Sequence, residues 1–293
     1  MARTLARLIR DLSWLRRYRA RRAESPPWWM RIPHFRNTLR HDALDHWPGG
    51  YVIRTDGRIV YVPSHVDITA GHRLFKPATQ IELIEPLCRP GDCVLDIGAN
   101  VGDWTLLMAM RVGPVGKVIA FEPVPYLAET IVKTARVNRH SWVEVQQLAL
   151  SATDGTTEFS VERANSGGSR LGRLDGDFSH ITVRSARLDT FLASRPEIGR
   201  IDFVKIDVEG YEEAVLQGAR ASLARFRPGL LFESGHESAQ QRRSIHDLLT
   251  GLDYEAVGAA VPGGLMEISW SDYRENEPVL ARIGLCNLLF MPR

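Results

Sequence analysis

Residues Cys93 to Leu106 read CVLDIGANVGDWTL, an apolar run closed by Asp96, Gly98, Asn100 and Gly102 just before a helical pattern begins. Gly98 and Gly102 lack a Cβ, so the backbone can turn sharply there and approach a bound molecule. The free N–H groups at the start of the following helix suit an anion at the same place. A dinucleotide fingerprint would carry a third glycine in G-x-G-x-x-G spacing. Here the turn is Gly98-Ala99-Asn100-Val101-Gly102, with an acid two residues ahead of the first glycine. The pattern describes a cradle for a nucleotide cofactor and argues against nicotinamide. Asp103, in the helix's first turn, complements the macrodipole and is also within reach of a cofactor.

Further acids fall at later strand ends. Glu122 closes Val118-Ile119-Ala120-Phe121-Glu122-Pro123, where nucleotide-binding folds place an acid that accepts hydrogen bonds from two ribose hydroxyls. Leu148, Ala149 and Leu150, at the next strand end, are read equally as packing against or hydrogen-bonding a base through backbone groups and as plain core packing. The run Asp202 to Glu212, DFVKIDVEGYE, puts Asp207, Glu209 and Glu212 at the carboxyl end of a fourth strand, the mouth where open α/β sheets bind ligands. Glu233 ends the adjacent Leu230-Leu231-Phe232 run, with His236 three residues on. Asp207, Glu209 and Glu233 are the candidates for a general base, and Glu212 and Lys205 are read as structural. Three carboxylates at one mouth also suit Mg²⁺. The histidines form no HxxxH or HxH pair, which excludes a zinc site of that kind.

The elements that must hold these residues alternate. Apolar strands at Cys93 to Ile97, Lys117 to Phe121, Val143 to Ala149, Ile201 to Ile206 and Leu230 to Phe232 are interleaved with helices at Tyr126 to Asn138, Glu212 to Arg225 and Ser238 to Leu252. That alternation predicts an α/β fold with a mostly parallel sheet covered on both faces. Tyr254 to Val257, Leu265 to Ile268 and Leu285 to Phe290 close the sheet, the last apolar enough to sit centrally. The expected architecture is a seven-stranded sheet with one antiparallel strand. Short β runs at Thr156 to Val161 and Ile181 to Arg184 flank a loop, Asn165 to Ser169, that reaches over the cleft. Ahead of all this, YVIRTDGRIVYV from Tyr51 reads as a hairpin with a type I′ turn at Asp56-Gly57. A helix is predicted from Pro77 to Leu87. The division is an extension over 1–50, a hairpin over 51–76 and the main domain over 77–293.

The chain of 293 residues is 44% hydrophobic and 25% charged, an ordinary globular composition. Its net charge of +2 hides an asymmetry: eleven arginines against Asp11 and Glu24 give Met1 to Arg40 +9, leaving −7 for the rest. Leu5, Leu8, Ile9, Leu12 and Leu15 share one face of a basic amphipathic helix, with arginines largely outside it. The helix is read as a self-docking or oligomer contact, or as a peripheral membrane contact. No comparable basic stripe follows Arg40, so nucleic acid is not expected as a partner. The chain lacks a secretory apolar stretch and a run of about 18 apolar residues, which predicts a cytoplasmic protein, at most peripheral to the inner face of the membrane. Cys88, Cys93 and Cys286 lie in or beside apolar segments and are expected to be reduced thiols.

Taken together, VLDIGANVG, FEP and KIDVEGYE make the chain resemble the FkbM family of methyltransferases that use S-adenosylmethionine (SAM), over roughly Ile81 to Pro292. The resemblance implies a class I, Rossmann-like methyltransferase fold, SAM as methyl donor, and O-methylation of a hydroxyl on a sugar, glycan or secondary metabolite. It implies that Asp96, Gly98, Asn100, Gly102 and Glu122 bind the cofactor, with the methionine carboxylate at the helix N-terminus and its ammonium at Asp96. Two rival readings stand beside it. One is a SAM-binding scaffold without turnover in a glycan-assembly or membrane complex. The other is N-methylation of RNA or protein, which the segment Asp207-Val208-Glu209-Gly210 disfavours because it lacks an N-x-P-P-Tyr type amide-stacking motif.

Overall fold

The computed structural model describes residues 48–54, 57–64, 87–162, 166–176, 178–261, 264–275 and 286–293. The basic helix expected near the N-terminus, and the Pro77 to Leu87 helix up to its last residue, lie outside them. An antiparallel pair comes first, β1 (Gly50–Ile53) and β2 (Ile59–Val62). Then β3 (Cys93–Ile97), α1 (Asp103–Val112), β4 (Lys117–Phe121), α2 (Pro125–Val137) and β5 (Val143–Gln146) alternate as their apolar patterns dictate. An insert follows: β6 (Ala149–Leu150), β7 (Gly155–Glu162), a 3-10 turn (Ser166–Gly168), β8 (Arg170–Leu171) and β9 (Phe178–Ala186). Alternation resumes with α3 (Leu188–Ala193), β10 (Phe203–Ile206), α4 (Glu212–Gly218), α5 (Arg220–Phe226), β11 (Gly229–Ser234) and α6 (Ala239–Gly251). The chain ends in β12 (Tyr254–Val261), β13 (Gly264–Glu267), α7 (Trp270–Glu275) and β14 (Cys286–Pro292).

The main sheet runs β13-β12-β14-β11-β10-β3-β4-β5. Strands β11, β10, β3, β4 and β5 are parallel, and every residue of β3 and β10 is buried, as expected for strands covered on both faces. From β3 the chain proceeds outward through β4 and β5, then returns to place β10 on the other side of β3. The crevice between the ends of β3 and β10 is therefore the topological switch point of the sheet. As its apolar sequence predicts, β14 inserts antiparallel between β11 and β12. The sheet has eight strands among the described residues where seven were expected, and two of them, β14 and the edge strand β13 that folds back on β12, oppose the parallel set where one was expected.

Three local expectations are corrected by tertiary contacts. The strand expected over Val143 to Ala149 splits: β5 stays in the main sheet, while β6 joins β9 in a separate sheet ordered β6-β9-β7-β8. The helix expected over Glu212 to Arg225 breaks after Gly218, where the helix surface lies against Ser151 so closely that a Cβ would come within 2.0 Å of its carbonyl oxygen. The first hairpin does not close on a two-residue type I′ turn. Arg54 N–H donates to Arg58 C=O at 2.7 Å, leaving a three-residue loop that ends on left-handed Gly57, φ +81°.

The hairpin and insert do not stand apart from the domain built on the main sheet. Val60 and Val62 of β2, Val124 and Leu127 at the start of α2, and Phe159, Val161, Leu171 and Val183 of the insert form one small core. Arg54, 3% exposed, pairs with Asp103 at 2.6 Å and so ties the hairpin to the first turn of α1. Replacing Gly218 by Ala is expected to lower stability by about 1–3 kcal/mol through forced displacement of the Ser151 segment. Denaturant unfolding of the variant checks this, and a midpoint shift smaller than for an exposed Gly251→Ala control would contradict it.

Candidate active site

The turn after β3 has the shape its sequence demands, with left-handed φ at Gly98 (+78°), Asn100 (+50°) and Gly102 (+82°). The packing reasons lie within the chain. A Cβ on Gly98 would sit 1.9 Å from the carbonyl oxygen of Asp207, and one on Gly102 would meet the Ile131 side chain at 2.9 Å. Glycine at 98 thus lets the ends of β3 and β10 come together, which brings the cofactor turn against the segment carrying the acids.

Asp96 is 1% exposed, and its carboxylate accepts the Thr105 hydroxyl from the first turn of α1. Burial raises its pKa to about 6 against the lowering effects of Thr105 and of Lys205 on the neighbouring strand. It fastens the strand end to the helix start and is not among the residues lining the adjacent cleft, and neither is Gly102. Glu122 does line it. Its Oε2 accepts Asn100 N–H at 2.8 Å and its Oε1 accepts Val124 N–H at 2.9 Å, yet burial still pushes its pKa up to about 8.

The cleft opens at the carboxyl ends of the parallel strands, at the switch point of the sheet. Gly98, Asn100, Glu122, Asp207 and Glu209 converge on it from three strand ends, and Leu148, Ala149 and Leu150 supply an apolar wall. Sequence reasoning had not singled out its lining by Phe159, Ser166, Gly167, Ser169 and Leu171 of the insert, beyond the expectation that this loop reaches over the mouth.

At the rim, Asp207 pairs with Lys205, Nζ to Oδ2 at 3.1 Å. Lys205 is fully buried; its Nζ also donates to Ile206 C=O at 3.2 Å and lies 5.4 Å from the Trp104 ring centre. An ammonium so placed needs a carboxylate partner, and Asp207 is that partner. Glu209 takes a left-handed conformation, φ +53°, followed by Gly210 at +94°. The turn is organised from below by Glu212, 1% exposed, whose Oε1 accepts the N–H groups of Val208 (3.3 Å) and Gly210 (3.2 Å). His236 Nε2 stands 2.9 Å from Glu209 and 3.9 Å from Glu233. Glu233 lies outside the cleft lining, and burial followed by the charge of Asp207 raises its pKa.

Glu209, Glu233 and His236 offer ligand atoms within 4.8 Å of one another, a set able to hold a divalent cation. Its histidine nitrogen departs from the all-oxygen environment that Mg²⁺ prefers and fits a transition ion better.

Residues 96–256 match the family model described as Methyltransferase FkbM domain, more than half of the chain. The chain belongs to the FkbM methyltransferase family. It is 27% identical over 143 residues to Methyltransferase 1 of Beauveria bassiana (strain ARSEF 2860), covering 43% of this chain and 57% of that one. It is 30% identical over 154 residues to Methyltransferase sdnD of Sordaria araneosa (43% and 59%). It is 32% identical over 108 residues to Protein-L-isoaspartate O-methyltransferase 1 of Arabidopsis thaliana (36% and 47%). The matches thus span about half the length of these relatives. Among solved structures, the FkbM methyltransferase from Methylobacillus flagellatus KT shows 16% identity and a TM-score of 0.41 over 89% of this chain and 60% of its own. Fibrillarin from Aeropyrum pernix, with natively bound SAM, shows 13% identity and a TM-score of 0.42 over 82% and 93%. The parallel strands and their switch point give this FkbM family chain the class I, Rossmann-like arrangement, and none of its described helices is long and apolar enough to cross a membrane.

Asp96 gives a test of the turn. Its folded pKa lies above the ordinary value, so on its account stability declines as pH climbs from about 4 through about 6. In urea unfolding, Asp96→Asn keeps an acceptor for Thr105 and is expected to match or exceed wild type at pH 8. Asp96→Ala leaves the hydroxyl unpaired and is expected to lose about 1–3 kcal/mol. Equal losses in both variants at pH 8 would refute this account of the residue.

Proposed function

We propose that the chain transfers a methyl group from SAM to a hydroxyl of a sugar, glycan or secondary metabolite. The observation that carries the reading is the meeting of Asp207 and Glu209 with the Gly98, Asn100 and Glu122 cleft, with His236 and Glu233 directly behind. A SAM molecule carries a zwitterionic amino acid, a ribose diol and an adenine. The cleft offers backbone amides and Asn100 at the glycine turn, a buried carboxylate at Glu122, and an apolar wall at Leu148 to Leu150, so the donor set fits. When bound, SAM supplies a methyl group on a sulfonium centre.

The chain's own part is alignment and proton removal. Holding an acceptor hydroxyl in line is worth about 7–11 kcal/mol in favourable cases, and a positioned base adds about 10²- to 10⁴-fold. Asp207, paired with Lys205, borders the cleft beside Glu209. The acceptor hydroxyl donates to Glu209, which takes its proton, and His236, 2.9 Å away, orients that carboxylate. An O-methyl acceptor is also what the name of the Arabidopsis relative specifies. The cation reading rests on the same three side chains. We hold the metal-free reading, because Glu209 already has His236 as a partner and Lys205 balances the acids beside it.

Incubation with methyl-labelled SAM and fractionated cell glycans, lipids and small metabolites tests this. Label is expected in a hydroxyl-bearing pool as a base-stable ether, reduced about 10²- to 10⁴-fold by Glu209→Gln and unaffected by dialysis against a chelator. Label in RNA or protein amides would replace the reading with N-methylation, and label nowhere would leave a binding scaffold. Loss on chelation with recovery in Mn²⁺ would assign the cation.

Glu122 adds a pH signature. Below about 8 its carboxyl holds a proton, whereas ribose hydroxyls donate best to the carboxylate. S-adenosylhomocysteine binding should therefore release a proton and tighten as pH rises toward about 8, levelling beyond it. Calorimetry in buffers of different ionisation enthalpy is expected to show this in wild type and not in Glu122→Gln.

We read the N-terminal basic segment as a self-docking or oligomer contact, with an anionic membrane surface at the inner face of the cytoplasmic membrane as the alternative.

A further inference from the structure

The acids of the cleft come from the main sheet, but the cleft extends beyond it to the insert. Its lining is sorted by origin: Glu122, Asp207 and Glu209 come from strand ends of the main sheet, while among the described residues the insert contributes Phe159, Ser166, Gly167, Ser169 and Leu171. Phe159 and Leu171, each 7% exposed, border the cleft from the insert and face the same space as Leu127, Leu148 and Leu150. Both are anchored in the small core shared with Val60 and Val62 of the hairpin, so their position is set by packing on two sides. The turn between β7 and β8 is fastened as well. The Ser166 hydroxyl donates to the Asn100 side-chain oxygen at 3.4 Å, joining the insert to the glycine turn, and Ser169 accepts Glu162 N–H at 2.9 Å.

We propose that the insert is the second wall of the cofactor site, with Phe159 and Leu171 as cofactor-binding residues that cover the apolar faces of the adenosine, and Ser166 as the fastening that holds the wall over it. The inference rests on SAM occupying this cleft. The placement of the two apolar side chains supports it: Phe159 and Leu171 suit a nucleoside base, and the carboxylates that suit the charged ends of the ligand stand on the main sheet. Apolar contact of this kind, lost from one side, corresponds to a weakening of about tenfold or more.

Calorimetry with S-adenosylhomocysteine and with 5′-methylthioadenosine, which lacks the amino-acid tail, tests the wall without any acceptor. Phe159→Leu and Leu171→Ala are expected to raise Kd about tenfold for both ligands alike, because the loss falls on the part they share. Amide exchange of wild type should slow across Gly155 to Leu171 when S-adenosylhomocysteine is added, which decides the matter even where a variant fails to fold. The proposal is overturned if wild type binds and Glu122→Gln weakens binding, yet exchange in the insert is unchanged or folded insert variants keep wild-type affinity. A wild type that binds neither ligand would instead remove the cofactor from this cleft, and the wall with it.

Discussion

The site depends on one close approach, between the backbone of Gly98 and the carbonyl of Asp207. Asp207 N–H donates to Ile97 C=O at 2.9 Å, continuing the β3–β10 ladder to its last possible rung, and Gly98 then turns away where a side chain would collide. Because these strands flank the switch point, the contact sets the spacing between the cofactor turn and the acids with no loop intervening. Methyl transfer needs donor and acceptor held in line, and errors of about 1 Å are costly. A spacing set by two buried parallel strands is well suited to that requirement.

The same pair of strands solves an electrostatic problem. Asp96, Asp207 and Glu233 lie near one another in a setting of low polarity, and like charges there cannot all ionise freely. Lys205, register partner of Asp96 and two residues before Asp207, is the counter-charge placed among them. Its influence lowers the pKa of both Asp96 and Glu233 against the stronger upward effect of burial. A single ammonium in the sheet thus stabilises charge at the end of β3 and at the end of β11 together. The two halves of the site are coupled through it as well as through the backbone.

How much of this was legible in the sequence follows from which forces act locally. The strand ends at Asp96, Glu122, Asp207 and Glu233 could be read because apolar runs mark buried parallel strands and their termination marks the mouth. The left-handed turn at Gly98 to Gly102 could be read from its glycines, but the reason for Gly98 could not, since the obstructing atom lies 109 residues away in Asp207. Lys205 and Glu212 are read from the sequence as structural, yet what each touches, the Asp207 carboxylate and the amides of the left-handed turn at Glu209, is visible only in the fold. The break at Gly218 escaped notice because periodicity continues through it and only contact with Ser151 interrupts the helix.

The insert shows why reading stops where it does. Alternation along β7 and β9 says that one face of each is buried, and nothing in the pattern says against what. The answer is a core assembled from three separated stretches of chain, the hairpin, the start of α2 and the insert. A wall built on such a core can vary its lining while the strand-end motifs beneath it stay fixed by backbone contacts. The acids of the cleft are thus held by backbone contacts at the ends of β3, β4 and β10, and the rest of its lining depends on how distant segments pack over them.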